Sequence, residues 1–307
     1  MLTPVIAATP GVQPPVGTKT FDVICAGEFN WKVARAGGPF WKIHRGARLR
    51  PGGGPANVAV ALASQGLRVG LATVLADDAL GREWYERSAA SGIDLDGVIL
   101  AAPRTTMVLV DGDDGACSEA FVAEEEPPIE LPSGWTSRVL VLSGLSPVIS
   151  HAAALCKAAR AAKRSGALVV IDFNAGFRAW AGHDAATIQM VLQEVDVARC
   201  SPADLAVLGM DVDATRKALR RDAVLVLGSG TMGAVATGPF GEVGYVPPGS
   251  SRHREIGGGH AFTAALCATL LRRAPPGESP NALWRRALQR GYVAANAHVR
   301  AADVTYR

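Results

Sequence analysis

Aromatic side chains are scarce in this chain, at 6% of residues, and neither sign of charge prevails: 31 Lys and Arg stand against 28 Asp and Glu, a formal net charge of +3. So small an excess leaves no electrostatic footprint for a nucleic-acid partner. Paired-cysteine patterns are missing too. The five cysteines, Cys25, Cys117, Cys156, Cys200 and Cys267, are odd in number and scattered, with no C-x-x-C or His-paired spacing. That excludes a zinc ribbon or disulfide framework and fits reduced thiols in a cytoplasmic protein. No apolar run is long and charge-free enough to span a membrane. Residues 1–20 are rich in Pro, Thr and Ala but lack the basic and apolar regions of a signal peptide, so they read as a loose tail.

Glycine is abundant instead, 34 residues in a chain of 307 that is 49% hydrophobic. That length supports one large α/β domain with a small appendage. Short apolar runs read as strands at Phe21–Ala26, Val69–Leu75, Val139–Leu142, Ala167–Asp172, Val195–Cys200 and Ala223–Leu227. Helical periods cover Val58–Gln65, Leu80–Ser91, Ser150–Ser165, His183–Glu194, Pro202–Gly209, Asp213–Arg220, Gly259–Arg273 and Asn281–Arg300. Such alternation predicts a mostly parallel sheet with helices on both faces. Hairpins are expected at Thr105–Val110 with Cys117–Ala123, and at Ala234–Thr237 with Glu242–Val246. The organisation is an α/β domain over residues 21–307, with a small β lid fed by two insertions near 31–54 and 100–126.

The stretch Gly257-Gly258-Gly259-His260 abuts the apolar run Ala261–Leu271. Glycines at a helix start expose backbone N–H groups, and the helix dipole adds partial positive charge, which together make an anion site best suited to phosphate. His260 sits on the first turn.

These residues carry a resemblance. Gly52-Gly53-Gly54-Pro55-Ala56-Asn57-Val58-Ala59, continued by Asp77, Asp78 and Gly81, resembles the N-terminal signature of the ribokinase-like, or PfkB, carbohydrate kinases. Asp172-Phe173-Asn174-Ala175-Gly176-Phe177-Arg178-Ala179-Trp180 is similar to the family's D-x-N-x-R-x-x-x-W segment, with Gly176 in the Arg slot and Arg178 two residues later. Arg254–Phe262 aligns with D-T-x-G-A-G-D-x-F, and Asn296 with an Asn near the family's adenine site. The resemblance implies a ribokinase-like α/β fold that transfers the γ-phosphoryl of ATP, with Mg2+, to a hydroxyl of a sugar, nucleoside or related small molecule. Gly257, Gly258 and Gly259 would form the anion hole. Asn30, Lys32, Gly53, Gly54, Asn57 and Arg178 would face the substrate, and Asp172, Asn174, Gly228 and Asn296 the nucleotide. Lid strands mediate dimers in this family, so the resemblance also implies a homodimer as one assembly.

Several positions depart from that pattern. His260 replaces the catalytic Asp, Arg254 the cation-site Asp, Ser201-Pro202-Ala203-Asp204 the N-x-x-E metal motif, and Lys32 an early substrate-binding Asp; Val226 stands where a Thr is usual. An ammonium at Lys32 favours carboxylate or phosphate, so a plain neutral hexose is expected to be a poor substrate. His260 reads as base or orienter. Arg254 either replaces a bound monovalent cation or points to solvent. Asp172 lies near phosphate or metal, or caps the next segment. Arg178 clamps a phosphate or pairs with a surface acid. Asp204 orients a metal-bound water or is an ordinary first-turn acid. Trp31, Phe40 and Trp41 stack on a ligand or pack the lid. The arginines 45, 48, 50, 285, 286 and 290 form a solvated face or an anionic clamp. The other histidines, His44, His151, His183, His253 and His298, show no metal spacing. Two readings remain: a kinase with altered catalytic machinery, or a pseudokinase that binds a nucleotide or metabolite and acts through a partner.

Overall fold

Strand β1 (Lys19–Gly27) begins half-exposed and becomes wholly buried from Val23 to Gly27. Burial on both faces is the mark of a central strand in a parallel sheet. The computed structural model describes residues 18–34, 48–102, 104–111, 116–121, 128–144, 146–174, 185–248, 258–272 and 275–305. The expected tail therefore lies largely outside the described residues.

Among those residues, nine strands form one sheet. Its order runs β5 (Asp94–Ala102), β4 (Val69–Ala76), β1, β8 (Trp135–Ser143), β9 (Leu168–Asp172), β10 (Val197–Cys200), β11 (Val224–Gly228), β12 (Ala234–Gly238), β13 (Gly241–Tyr245). Every pairing from β5 to β11 is parallel, and the last two are antiparallel. Period-two alternation divides the core into two layers. Ile24, Leu140, Leu142 and Ile171 face one side, Val23, Cys25, Val139 and Val141 the other. The first side is covered by α3 (Ser146–Arg164), α4 (Ala185–Leu192) and α5 (Pro202–Val207) through Leu155, Ile188 and Leu205. The second is covered by α1 (Gly54–Ala63), α2 (Ala79–Ala89), α7 (Gly258–Leu271) and α8 (Pro280–Thr305) through Leu62, Trp84, Leu266 and Trp284. Helix α6 (Val212–Ala218) links α5 to β11 and is capped by Asp211.

Four further strands form a separate small sheet, ordered β3 (Arg48–Pro51), β2 (Trp31–Ala34), β6 (Met107–Asp111), β7 (Ala116–Phe121). Its strands come from the two insertions read in the sequence. The expected hairpin is present, with Met107 opposite Phe121. Only Glu28, Phe29 and Asn30 separate β2 from the carboxyl end of β1, so the small sheet springs from the edge where such folds place ligands.

Several elements differ from the sequence reading; α3 starts four residues earlier, at Ser146, and α8 runs five residues further, to Thr305. Strand β5 had no counterpart: its Asp94-Leu95-Asp96-Gly97 start breaks the apolar run, and its place is set by pairing with β4. Gly97 there accommodates the Trp135 ring, 2.9 Å from where a Cβ would stand. Helix α1 starts at Gly54, not Val58, with Pro55 in the first turn, where its missing N–H is harmless. No helix among the described residues is long and apolar enough to cross a membrane.

Gly27 closes β1 at φ 147°, and a Cβ there would lie 1.9 Å from the Ser143 carbonyl oxygen on β8. Gly27→Ala is expected to cost about 1–3 kcal/mol from overpacking alone, measured by chemical unfolding.

Candidate functional site

The carboxyl ends of β1, β8, β9, β10 and β11 meet the first turns of α1 and α7. Residues far apart in sequence converge there because parallel strands all point their ends to one edge. On the α1 side, Gly53 takes φ 93°, and a Cβ on it would press into the Glu28 carbonyl at 2.6 Å. Gly54 leaves room for Ser143, whose Oγ would be 1.9 Å from an added Cβ. Asn30 is 2% exposed, and its Oδ1 has no partner among the described residues. Gly52 keeps that oxygen clear, since a Cβ would stand 2.2 Å from it and 3.0 Å from Lys32 Cγ. Lys32 is half-buried on β2, opposite Arg50 of β3.

Asn57 crosses from α1 to α7. Its Nδ2 lies 3.3 Å from His260 Nδ1, joining residues 203 apart in sequence. With the amide nitrogen donating, Nδ1 accepts and the ring proton sits on Nε2. That Nε2 is buried with no partner among the described residues, and His260 as a whole is 4% exposed. Burial first, then the positive fields of Lys32, Arg199 and His298, push its pKa from 6.5 to about 3, against a smaller opposing pull from Asp204. The imidazole is neutral throughout the physiological range.

On the β9–β10 side stands a residue the sequence reading did not single out. Arg199 projects from β10 and donates from Nη1 to Asp172 Oδ1 at 3.0 Å. Asp172 is fully buried at the end of β9, and its Oδ2 accepts from Thr263 Oγ1 of α7 at 2.9 Å. The guanidinium lies against the head of α7: a Cβ on Gly259 would be 2.9 Å from Nη1, and one on Gly228 would be 3.4 Å from Nη2. Its carbon sits 5.7 Å from the Phe262 ring centroid. Burial works against the charge, and Asp172 and Asp204 outweigh it, holding the guanidinium above its usual value. One signal was available: a lone arginine in the buried run Val195–Cys200 needs a partner. Cys200 and Cys267 nearby are inert, their thiols pushed up to about 12 chiefly by burial.

The remaining expected residues fall as follows. Gly258, Gly259, His260, Asn57, Asp172 and Gly228 gather around the head of α7. Asn174 follows β9 with φ 42°, the non-glycine residue with positive φ among those described. Asn296 is half-buried on α8, the helix that also carries His298. Gly257, Arg178, Arg254, Phe40 and Trp41 lie outside the described residues. Trp31 is 4% exposed and meets Phe29 edge-on, as buried lid packing.

Among the described residues the carboxylates at this edge are already engaged by protein donors. Asp204 Oδ2 accepts from Ser201 N and Oγ, both at 2.7 Å, closing a capping box at the start of α5. Both oxygens of Asp172 are engaged by Arg199 and Thr263. No cluster of three or more His, Cys, Asp or Glu side chains with metal-binding spacing exists among the described residues.

A parallel sheet with helices on both faces, a small second sheet at its carboxyl edge and a glycine-headed helix define a ribokinase-like fold. The chain belongs to the pfkB family of carbohydrate kinases, whose model matches residues 42–306. Solved structures agree on the fold. Aminoimidazole riboside kinase from Salmonella enterica, with aminoimidazole riboside and an ATP analog, superposes with TM-score 0.73 at 20% identity over 92% of this chain and 93% of that one. A Pyrococcus horikoshii sugar kinase in complex with ATP gives 0.71 at 18% identity over 89% and 92%. Xylella fastidiosa fructokinase with bound ATP gives 0.69 at 22% identity over 91% and 94%.

Proposed function

We propose that this protein transfers the γ-phosphoryl group of ATP to a hydroxyl of a small molecule bearing an acidic group, using altered catalytic machinery. The observation that carries the reading is the Asn57–His260 contact at the head of α7, which brings the expected acceptor side and phosphate side within one hydrogen bond. Gly258 and Gly259 present amides to the transferring phosphate. Asn30, Gly53, Gly54 and Asn57 line the acceptor side, where Lys32 pairs with the acidic group. Gly228, Asn174 and Asn296 face the nucleotide. Transfer of this kind depends on positioning and donors more than on covalent help from the protein.

His260 acts in this scheme as an orienter. A neutral ring whose Nδ1 accepts from Asn57 has a donor at Nε2 and no lone pair there for the hydroxyl proton. Without general-base assistance the reaction forfeits about 10²–10⁴ in rate, while the amide donors, often the larger contribution, remain. The same tautomer favours a second reading, a nucleotide- or metabolite-binding pseudokinase acting through a partner. A homodimer through the small sheet accords with either reading.

A coupled ADP-release assay over neutral sugars, sugar acids and sugar phosphates tests the first reading. Slow turnover with acidic acceptors is expected, and His260→Ala should lower it less than about 10²-fold, the floor for loss of a true general base. Efficient phosphorylation of glucose, fructose or ribose would overturn the acceptor assignment. Nucleotide binding without ADP release from any acceptor would move the assignment to the pseudokinase.

A further inference from the structure

The head of α7 holds a cation of its own. Placing Arg199 there runs against electrostatics, because a helix N-terminus already carries partial positive charge. Asp172 offsets the guanidinium and simultaneously ties α7 down through Thr263. A purely structural ion pair would need nothing more. Three further observations point to a ligand. Arg199 Nε is buried and without a partner among the described residues. His260 Nε2, on the same helix turn, is likewise buried and unpartnered, with its proton held on that nitrogen by the Asn57 contact. Gly259, the residue before His260, lacks the side chain that would collide with the guanidinium, since a Cβ there would stand 2.9 Å from it. Fixed N–H donors and a guanidinium converging on one helix end are the chemistry of phosphate recognition.

The carboxylates at this edge that could draw in a divalent cation are engaged by protein donors, Asp172 by Arg199 and Thr263, and Asp204 Oδ2 by Ser201. We propose that Arg199, clamped by Asp172, is the resident cation of a polyphosphate site, and that the protein binds the terminal phosphates of a nucleoside di- or triphosphate without needing a divalent metal. The inference rests on the nucleotide reading above and adds which group neutralises the phosphates.

Titration calorimetry of the full chain with ADP and with tripolyphosphate, each in EDTA and in excess Mg2+, decides it, with adenosine as the uncharged control. Both anions are expected to bind in EDTA with affinity within about threefold of that in Mg2+, because the guanidinium already supplies the charge-assisted contact. The companion variant Arg199→Met/Asp172→Asn removes both charges and keeps a partner for Thr263. Its fold is checked by near-ultraviolet circular dichroism, and it should bind tripolyphosphate in EDTA about tenfold more weakly or worse. Binding that appears only with Mg2+ overturns the inference and leaves the nucleotide reading standing. A folded double variant that binds like the parent also overturns it. Absence of binding in both conditions overturns the nucleotide reading and the inference together. Should the double variant fail to fold, the comparison of EDTA with Mg2+ in the parent protein still decides.

Discussion

Asp172→Ala is expected to lower the unfolding free energy by about 3–5 kcal/mol, because it leaves a buried guanidinium uncompensated. Asp172 is fully buried, and the Arg199 side chain is only 13% exposed, so water cannot take over the carboxylate's role. The loss also strips Thr263 of its acceptor at the second turn of α7. Adding Arg199→Met to Asp172→Ala should recover much of the deficit, since it removes the stranded charge. Urea unfolding of the single and double variants measures both. A single variant within 1 kcal/mol of the parent, or a double variant no better than the single, would show that the pair is not what holds this corner.

The second large effect is with pH. His260 is pushed from 6.5 to about 3 in the folded protein, first by burial and then by neighbouring cations. The unfolded chain takes up a proton below pH 6.5 that the native state refuses, so stability falls as pH drops from about 6.5 towards about 3. Each unit well inside that window removes about 1.4 kcal/mol, so going from pH 6.5 to 4.5 removes about 2–3 kcal/mol through this residue. Asp196 contributes with the opposite sign. Burial raises its pKa from 3.8 to about 6, so its own contribution favours the folded state as pH falls through that range. Comparing the parent with His260→Asn removes Asp196 from the difference, since it is common to both. The variant keeps an oxygen near the Asn57 amide and should show a flatter decline in stability below pH 6.5. Parallel declines would mean that His260 takes up a proton in the native state.

Most of the fold was legible because buried parallel strands are written as unbroken apolar runs. Phe21–Ala26 and Val69–Leu75 differ from β1 and β4 by only a residue or two at each end. Where local signals failed, the cause was tertiary. The sequence reading places no strand at Asp94–Gly97, which pairs with β4, and starts the helical period only at Val58, although Gly54 already belongs to α1. For the site, motif spacing pointed to Asn57, Asp172 and His260, but not to how they meet. That Asn57 faces His260 across 203 residues, and that Asp172 has Arg199 as its partner, depends on how strand ends align at one edge. Asp204 also shows the limit of position alone: the carboxylate in the metal-motif slot closes a capping box.

The placement of β1 has a consequence during synthesis. Of the described strands it is the earliest in the chain, yet it sits between β4 and β8, and Gly27 aligns with Ser143 at the far end of the latter. Until β8 has emerged, more than a hundred residues later, the segment Val23–Ala26 has at most the β4 flank covered. An incomplete nascent chain therefore carries an open apolar ribbon of the kind that chaperones shield and that drives aggregation when translation stalls.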